Sequence, residues 1–196
     1  VNDQVTWIER IIDVTGWRQE PEGGASWGEV EAELGVALPT DFKELCRRFV
    51  PGLFYGYLDL LRSPGEHESW ELLSRWAFCR SESYAQLYAP YGIYGSDTGS
   101  GLIQWGGDQV EGQYCWLADR FTEPDSWPVV AQKLAGGPWQ RFDMPTTDFI
   151  YRMIADPGFT PFTVAAPPRR PFYLPRGQTI SSAEQWDALT TPNRES

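Results

Sequence analysis

Histidine is nearly absent from this chain: its one copy in 196 residues is His67, in the polar stretch Pro64-Gly65-Glu66-His67-Glu68. A single imidazole excludes a multi-histidine metal site within one chain. With no Ser or Cys nucleophile pattern near it, His67 is expected to be a solvated loop residue. Cysteine is scarce as well. Cys46, Cys79 and Cys115 are odd in number, widely spaced and form no Cys-x-x-Cys pair. That argues against a disulfide framework or zinc site and for reduced, packed thiols. No apolar run approaches the roughly 18 residues of a membrane span, and residues 1–5 lack the basic and apolar regions of a signal peptide. A cytoplasmic protein with no membrane contact is expected.

Basic residues are also few, 16 Lys and Arg against 27 Asp and Glu, for a net charge of −11. Binding to duplex nucleic acid depends on neutralising phosphates, so the balance argues against a direct nucleic-acid partner. The glycine-rich run Ser96-Asp97-Thr98-Gly99-Ser100-Gly101 has neither the lysine of a P-loop nor the spacing of a dinucleotide fingerprint. It reads as a hairpin or strand-entry turn, and no cofactor or metal is expected. Paired carboxylates can hydrolyse glycosides. Here Asp108, Glu111, Asp119 and Asp125 all fall in turns, where acids are common for backbone reasons. Turn residues are therefore the stronger reading, and a hydrolase using these loop carboxylates is the weaker one.

Aromatic residues, in contrast, are abundant, and ten of them are tryptophan. Trp105, Trp116, Trp127 and Trp139 fall eleven, eleven and twelve residues apart, each in a short apolar run. Turn formers separate the runs: Gly106-Gly107-Asp108, residues 119–126 and Ala135-Gly136-Gly137-Pro138. Short strands at this spacing with turns between them predict an antiparallel meander. One aromatic per strand with apolar neighbours favours core packing over a stacking platform for sugars or bases.

Helices are predicted on either side of the meander. Trp7, Ile8, Ile11 and Ile12 mark a helical face over residues 5–15. Ser26-Trp27-Gly28-Glu29 has the form of a capping box, opening a helix that Gly35 closes. Thr40 or Asp41 is placed to cap a third helix over 42–49. Residues 53–62 read as one strand, 68–88 as a helix stopped by Pro90, and 91–95 as a further short strand. Thr146 or Thr147 is placed to cap a helix over 148–155. Residues 159–196, rich in proline, read as an extended tail, packed in part through Phe159, Phe162, Phe172 and Tyr173. The division is thus a domain over 1–156 and a proline-rich extension over 157–196.

Charge is uneven along the chain. Residues 81–132 hold seven acids (Glu82, Asp97, Asp108, Glu111, Asp119, Glu123, Asp125) and one base, Arg120. Taken alone, such a surface favours solubility.

Two stretches carry a resemblance. Residues 27–43, Trp-Gly-Glu-Val-Glu-Ala-Glu-Leu-Gly-Val-Ala-Leu-Pro-Thr-Asp-Phe-Lys, resemble the first motif of the SUKH superfamily, the bacterial relatives of the fungal Smi/Knr cell-wall synthesis regulators. That motif is an acidic helix ending in Leu-Gly, then Leu-Pro, then Asp with an aromatic and a basic residue. Gly107-Asp108, Tyr114-Cys115-Trp116-Leu117, Asp125-Ser126-Trp127-Pro128-Val129-Val130, Trp139-Gln140-Arg141-Phe142 and Asp148-Phe149-Ile150 resemble later segments of the same family. The segment Phe49-Val50-Pro51-Gly52 departs from it, where the family often has Asn-Gly or Gly-Gly. The resemblance covers residues 5–156. It implies an α+β fold, a mostly antiparallel sheet with helices largely packed on one face. It also implies a non-enzymatic immunity protein that binds and neutralises a polymorphic toxin, often a nuclease or deaminase. A nuclease is basic, so the acidic region would meet it: Asp97, Asp108, Glu111, Asp119, Glu123 and Asp125 steering, with Tyr91, Tyr94 or Trp105 as anchor. The eukaryotic relatives imply the alternative, an intracellular regulatory or scaffold module, which the tail around Pro167-Pro168-Arg169-Arg170-Pro171 would suit.

Overall fold

The computed structural model describes residues 3–18, 26–63, 71–165, 170–180, 182, 184 and 185. It is an α+β fold built on one seven-stranded antiparallel sheet. The strands are β1 (Gly52–Phe54), β2 (Leu58–Leu60), β3 (Ser100–Asp108), β4 (Gln113–Asp119), β5 (Val129–Gln132), β6 (Gln140–Phe142) and β7 (Tyr173–Pro175), in the order β6-β5-β4-β3-β2-β1-β7. The helices are α1 (Asp3–Thr15), α2 (Gly28–Leu34), α3 (Thr40–Arg48), α4 (Leu72–Cys79), α5 (Glu82–Ala85) and α6 (Thr146–Ala155).

The predicted meander is β3 to β6, each strand pairing with the next. Alternation sends Ile103, Trp105, Tyr114, Trp116, Val129, Ala131 and Phe142 to one face, where α1, α2, α3 and α6 cover them. A bulge between Gln104 and Gly106 shifts the alternation after Trp105, so that Gly106 pairs with core-facing Tyr114 and Gly107 with Gln113 on the other face. Phe42 of α3 sits at the centre, its ring centroid 4.8 Å from that of Trp116 and 5.5 Å from that of Trp27. Leu102, Cys115 and Val130 point the other way and form a smaller cluster with Cys79 of α4, Tyr88, Tyr91 and Trp139. All three cysteines are buried, and none is shown in a disulfide.

Several expectations need correction. The stretch 53–62 is a hairpin, because Tyr55 and Gly56 both take positive φ (57° and 77°) and fold β2 back on β1. The stretch 68–88, described from residue 71, is broken: α4 ends at Cys79, and Ser81, extended at ψ 146°, starts α5. Residues 91–95 form no strand, only an isolated bridge from Ile93 to Leu102. No capping box opens α2. Its N-cap is Trp27, drawn into the core, and no side chain caps it. Gly35 does close that helix, in the left-handed region at φ 70°.

The extension from 157 packs through the aromatics expected of it. Phe162, Phe172 and Tyr173 are buried in the main core, and β7 pairs with β1. A β-carbon at Gly52 would collide with the Leu174 carbonyl, so the close approach of β7 requires glycine there. The core therefore continues past the expected boundary. His67 and Pro167 to Arg169 lie outside the described residues.

Candidate partner-binding surface

Helix ends decide which acids are free. Helix α3 begins with an exposed N–H at Thr40, and a helix N-terminus attracts negative charge. Asp125 supplies it: its carboxylate accepts the Thr40 N–H at 2.6 Å and the Thr40 hydroxyl at 2.8 Å. One turn deeper, Asp41 does the same for α6, accepting the Thr147 N–H at 2.9 Å and the Thr147 hydroxyl at 3.0 Å. The caps expected from local sequence are thus supplied across 85 and 106 residues. Burial pushes the Asp41 carboxyl above its ordinary value, against the lowering by Thr147.

Asp125 also anchors a loop. The chain leaves β4 at Asp119, whose carboxylate accepts the Phe121 N–H at 2.9 Å, and re-enters the core at Trp127. The Trp127 indole N–H donates to the Asp119 carbonyl at 3.1 Å, closing the base of the loop. Arg120 reaches across to the Ser96 carbonyl at 3.1 Å, and its guanidinium stands 5.4 Å from the centroid of the Phe121 ring. Phe121 itself is 83% exposed, the most exposed of the large apolar side chains described. Asp97 and Glu123 are exposed near it, on the two loops that Arg120 ties together. The result is an aromatic ring held out on a pinned loop and edged by carboxylates.

The nine residues expected to form the contact do not come together. Tyr94 and Trp105 are 1% and 0% exposed, so neither anchors a surface contact. Tyr91 is half-buried in the small cluster on the other side of the sheet. Asp108 lies at the far end of β3 from Ser100, about 26 Å away at the rise of an extended strand. Its carboxylate is fully engaged, accepting from the Val110 and Gly112 N–H groups and the Tyr114 and Thr163 hydroxyls at 2.7–2.9 Å. It fastens the segment around Thr163 to the sheet. Glu111 is exposed in the β3–β4 turn, at that far end, in the left-handed region at φ 71°. Asp97, Asp119, Glu123 and Asp125 remain as one acidic end. Phe121 was missed. Its signal in the sequence is an aromatic inside a turn rather than a strand, beside the only base of the acidic region.

Among the described residues no group of histidine, cysteine and carboxylates is placed to hold a metal ion, and no helix is long and apolar enough to cross a membrane. Compared with family models, curated proteins and solved structures, the chain matches none.

Proposed function

We propose that this chain is a cytoplasmic immunity protein of the SUKH type that binds a basic toxin domain, a nuclease or deaminase, and acts without catalysis. The observation that carries the reading is the acidic end with Phe121 at its centre. Exposed aromatic anchors ringed by polar groups are what tight interfaces use. Carboxylates around such an anchor raise the association rate with a basic partner, from a neutral ~10⁵–10⁶ towards ~10⁸ M⁻¹s⁻¹ at low salt. A loop tied at Asp119, Ser96 and Thr40 presents its ring without having to be ordered on binding, which spares affinity.

The test is genetic and then biochemical. A toxin-like domain encoded next to this chain is expressed alone and together with it. Rescue of growth by the wild-type chain, lost with Phe121→Ala combined with Asp97→Lys and Glu123→Lys, is the expected result. Absence of rescue by the wild-type chain, or rescue undiminished by the triple variant, overturns the reading.

A further inference from the structure

Behind the sheet, away from the main core, one lateral row of paired residues runs Leu174, Leu53, Asp59, Gly107, Gln113 and Gln132 across β7, β1, β2, β3, β4 and β5. Directly paired residues share a face, so a carboxylate and two carboxamides project from it, with a gap where Gly107 has no side chain. Over that gap lies a cavity of about 340 Å³, within the range of small-ligand sites. Asp59, Gln104, Gly107 and Gln113 line it from the sheet, Arg75 from α4, and Glu111 from the β3–β4 turn.

Within the row the Gln132 amide N–H donates to the Gln113 side-chain oxygen, but among the described residues no donor reaches the buried Asp59 Oδ1. Two buried side-chain oxygens of the row have no partner, Asp59 Oδ1 and Gln132 Oε1, and of the two residues only Asp59 lines the cavity. Asp59 is 3% exposed; its other oxygen meets Arg176 at 3.4 Å, and Arg62 is the second cation whose charge acts on it. A buried carboxylate oxygen left without a donor is costly and asks for a charged one. Arg75 does not supply it: among the described residues it makes no ion pair, and its guanidinium stands 5.8 Å from the centroid of the Phe78 ring. Asp59, Asp108 and Glu111 against Arg75 leave the lining net negative.

We propose that this pocket binds a guanidinium group. Its planar fork presents several N–H donors at fixed angles, suited to a carboxylate whose second oxygen has no donor. The inference deepens the function proposed above, since a basic protein offers that group as an arginine side chain. It stands on the pocket alone, however, and is tested without any toxin.

The probes are agmatine and a blocked Gly-Arg-Gly tripeptide, titrated into the full ¹⁵N-labelled chain. Saturable shifts at the Gly107 amide and the Gln104 and Gln113 side-chain amides are expected. Asp59→Asn should weaken binding at least about tenfold, the scale of one charge-assisted hydrogen bond. A second variant leaves Asp59 intact: a β-carbon at Gly107 meets only ordinary contacts, Gly112 O at 3.5 Å and Gln104 Nε2 at 3.7 Å. Gly107→Val is therefore accommodated, suits a strand, fills the gap and should abolish the shifts. Tighter binding of the tripeptide points to a protein source of the group, and tighter binding of agmatine to a free one. No saturable shift with either probe up to about 20 mM, far above the millimolar range of weak sites, overturns the proposal. So does equal binding by either variant. If the pocket binds but the toxin is not neutralised, only the functional reading falls.

Discussion

Asp125 and Asp97 count equally towards the charge of −11, yet only one is part of the fold. Asp125 caps α3, whereas Asp97 is exposed and, among the described residues, without an ion pair. Asp125→Ala should cost about 1 kcal/mol, the usual worth of an N-cap, and Asp97→Ala should stay within about 0.5 kcal/mol of wild type. Urea denaturation measures both, and equal costs would contradict the assignment. Asp41 offers a pH test. Burial raises its carboxyl above 3.8, so the folded state holds the proton more tightly than the unfolded one. A group of this kind contributes stability that is fully present below its unfolded pKa and lost as pH rises through the folded value. Relative to Asp41→Asn, which keeps an acceptor for Thr147, wild-type stability should therefore fall as pH is raised from 3.8 and then level off. A difference that grew with pH would refute this.

Elements were legible where one residue type set both period and packing. Tryptophan spacing marks the meander because Trp105 and Trp116 lie within strands facing the same helices, and Trp127 and Trp139 stand just before theirs. The hairpin of β1 and β2 was hidden because its first turn residue is Tyr55, not the asparagine or glycine that usually accepts positive φ. The helix caps were hidden because their carboxylates come from distant segments, and β7 because it follows Pro171 and ends in Pro175. Of the candidate contact, the acids were readable by counting, but their division between two ends of β3 depends on strand direction. Two predictions belong at this level. Trp116 donates its indole N–H to Thr146 at 2.8 Å, while the Trp105 N–H is buried without an acceptor. Trp116→Phe should thus cost about 1 kcal/mol more than Trp105→Phe, the net worth of one hydrogen bond; equal unfolding midpoints would oppose it. Tyr173 packs against Phe49, Phe54 and Trp17 with centroids 4.8–4.9 Å away. Tyr173→Ala should cost about 3–5 kcal/mol, the scale of aromatic deletion from a core, and a surface-like loss would return β7 to the status of an extension.

Across the whole molecule the acids form two separate fields. The end around Phe121 and the end holding Glu111 are about 26 Å apart along β3, more than three Debye lengths of about 8 Å at physiological salt. Each end therefore steers a partner on its own, and charge changes at the two should add. Reversal of Asp97 and Glu123 to lysine is expected to slow association with a basic toxin domain and to flatten its salt dependence. Phe121→Ala should leave the association rate nearly unchanged and speed dissociation, because an anchor acts after encounter while charges act before it. Glu111→Lys separates two geometries. If the partner covers only the acidic end, Glu111→Lys leaves both rates unaltered. If the partner reaches round the sheet to the pocket, Glu111→Lys slows association by a factor that multiplies with that of the first pair. Stopped-flow measurement of the single and combined variants at two salt concentrations reads both factors. Association rates unaffected by any of the three charge reversals would remove the acidic end from the interface.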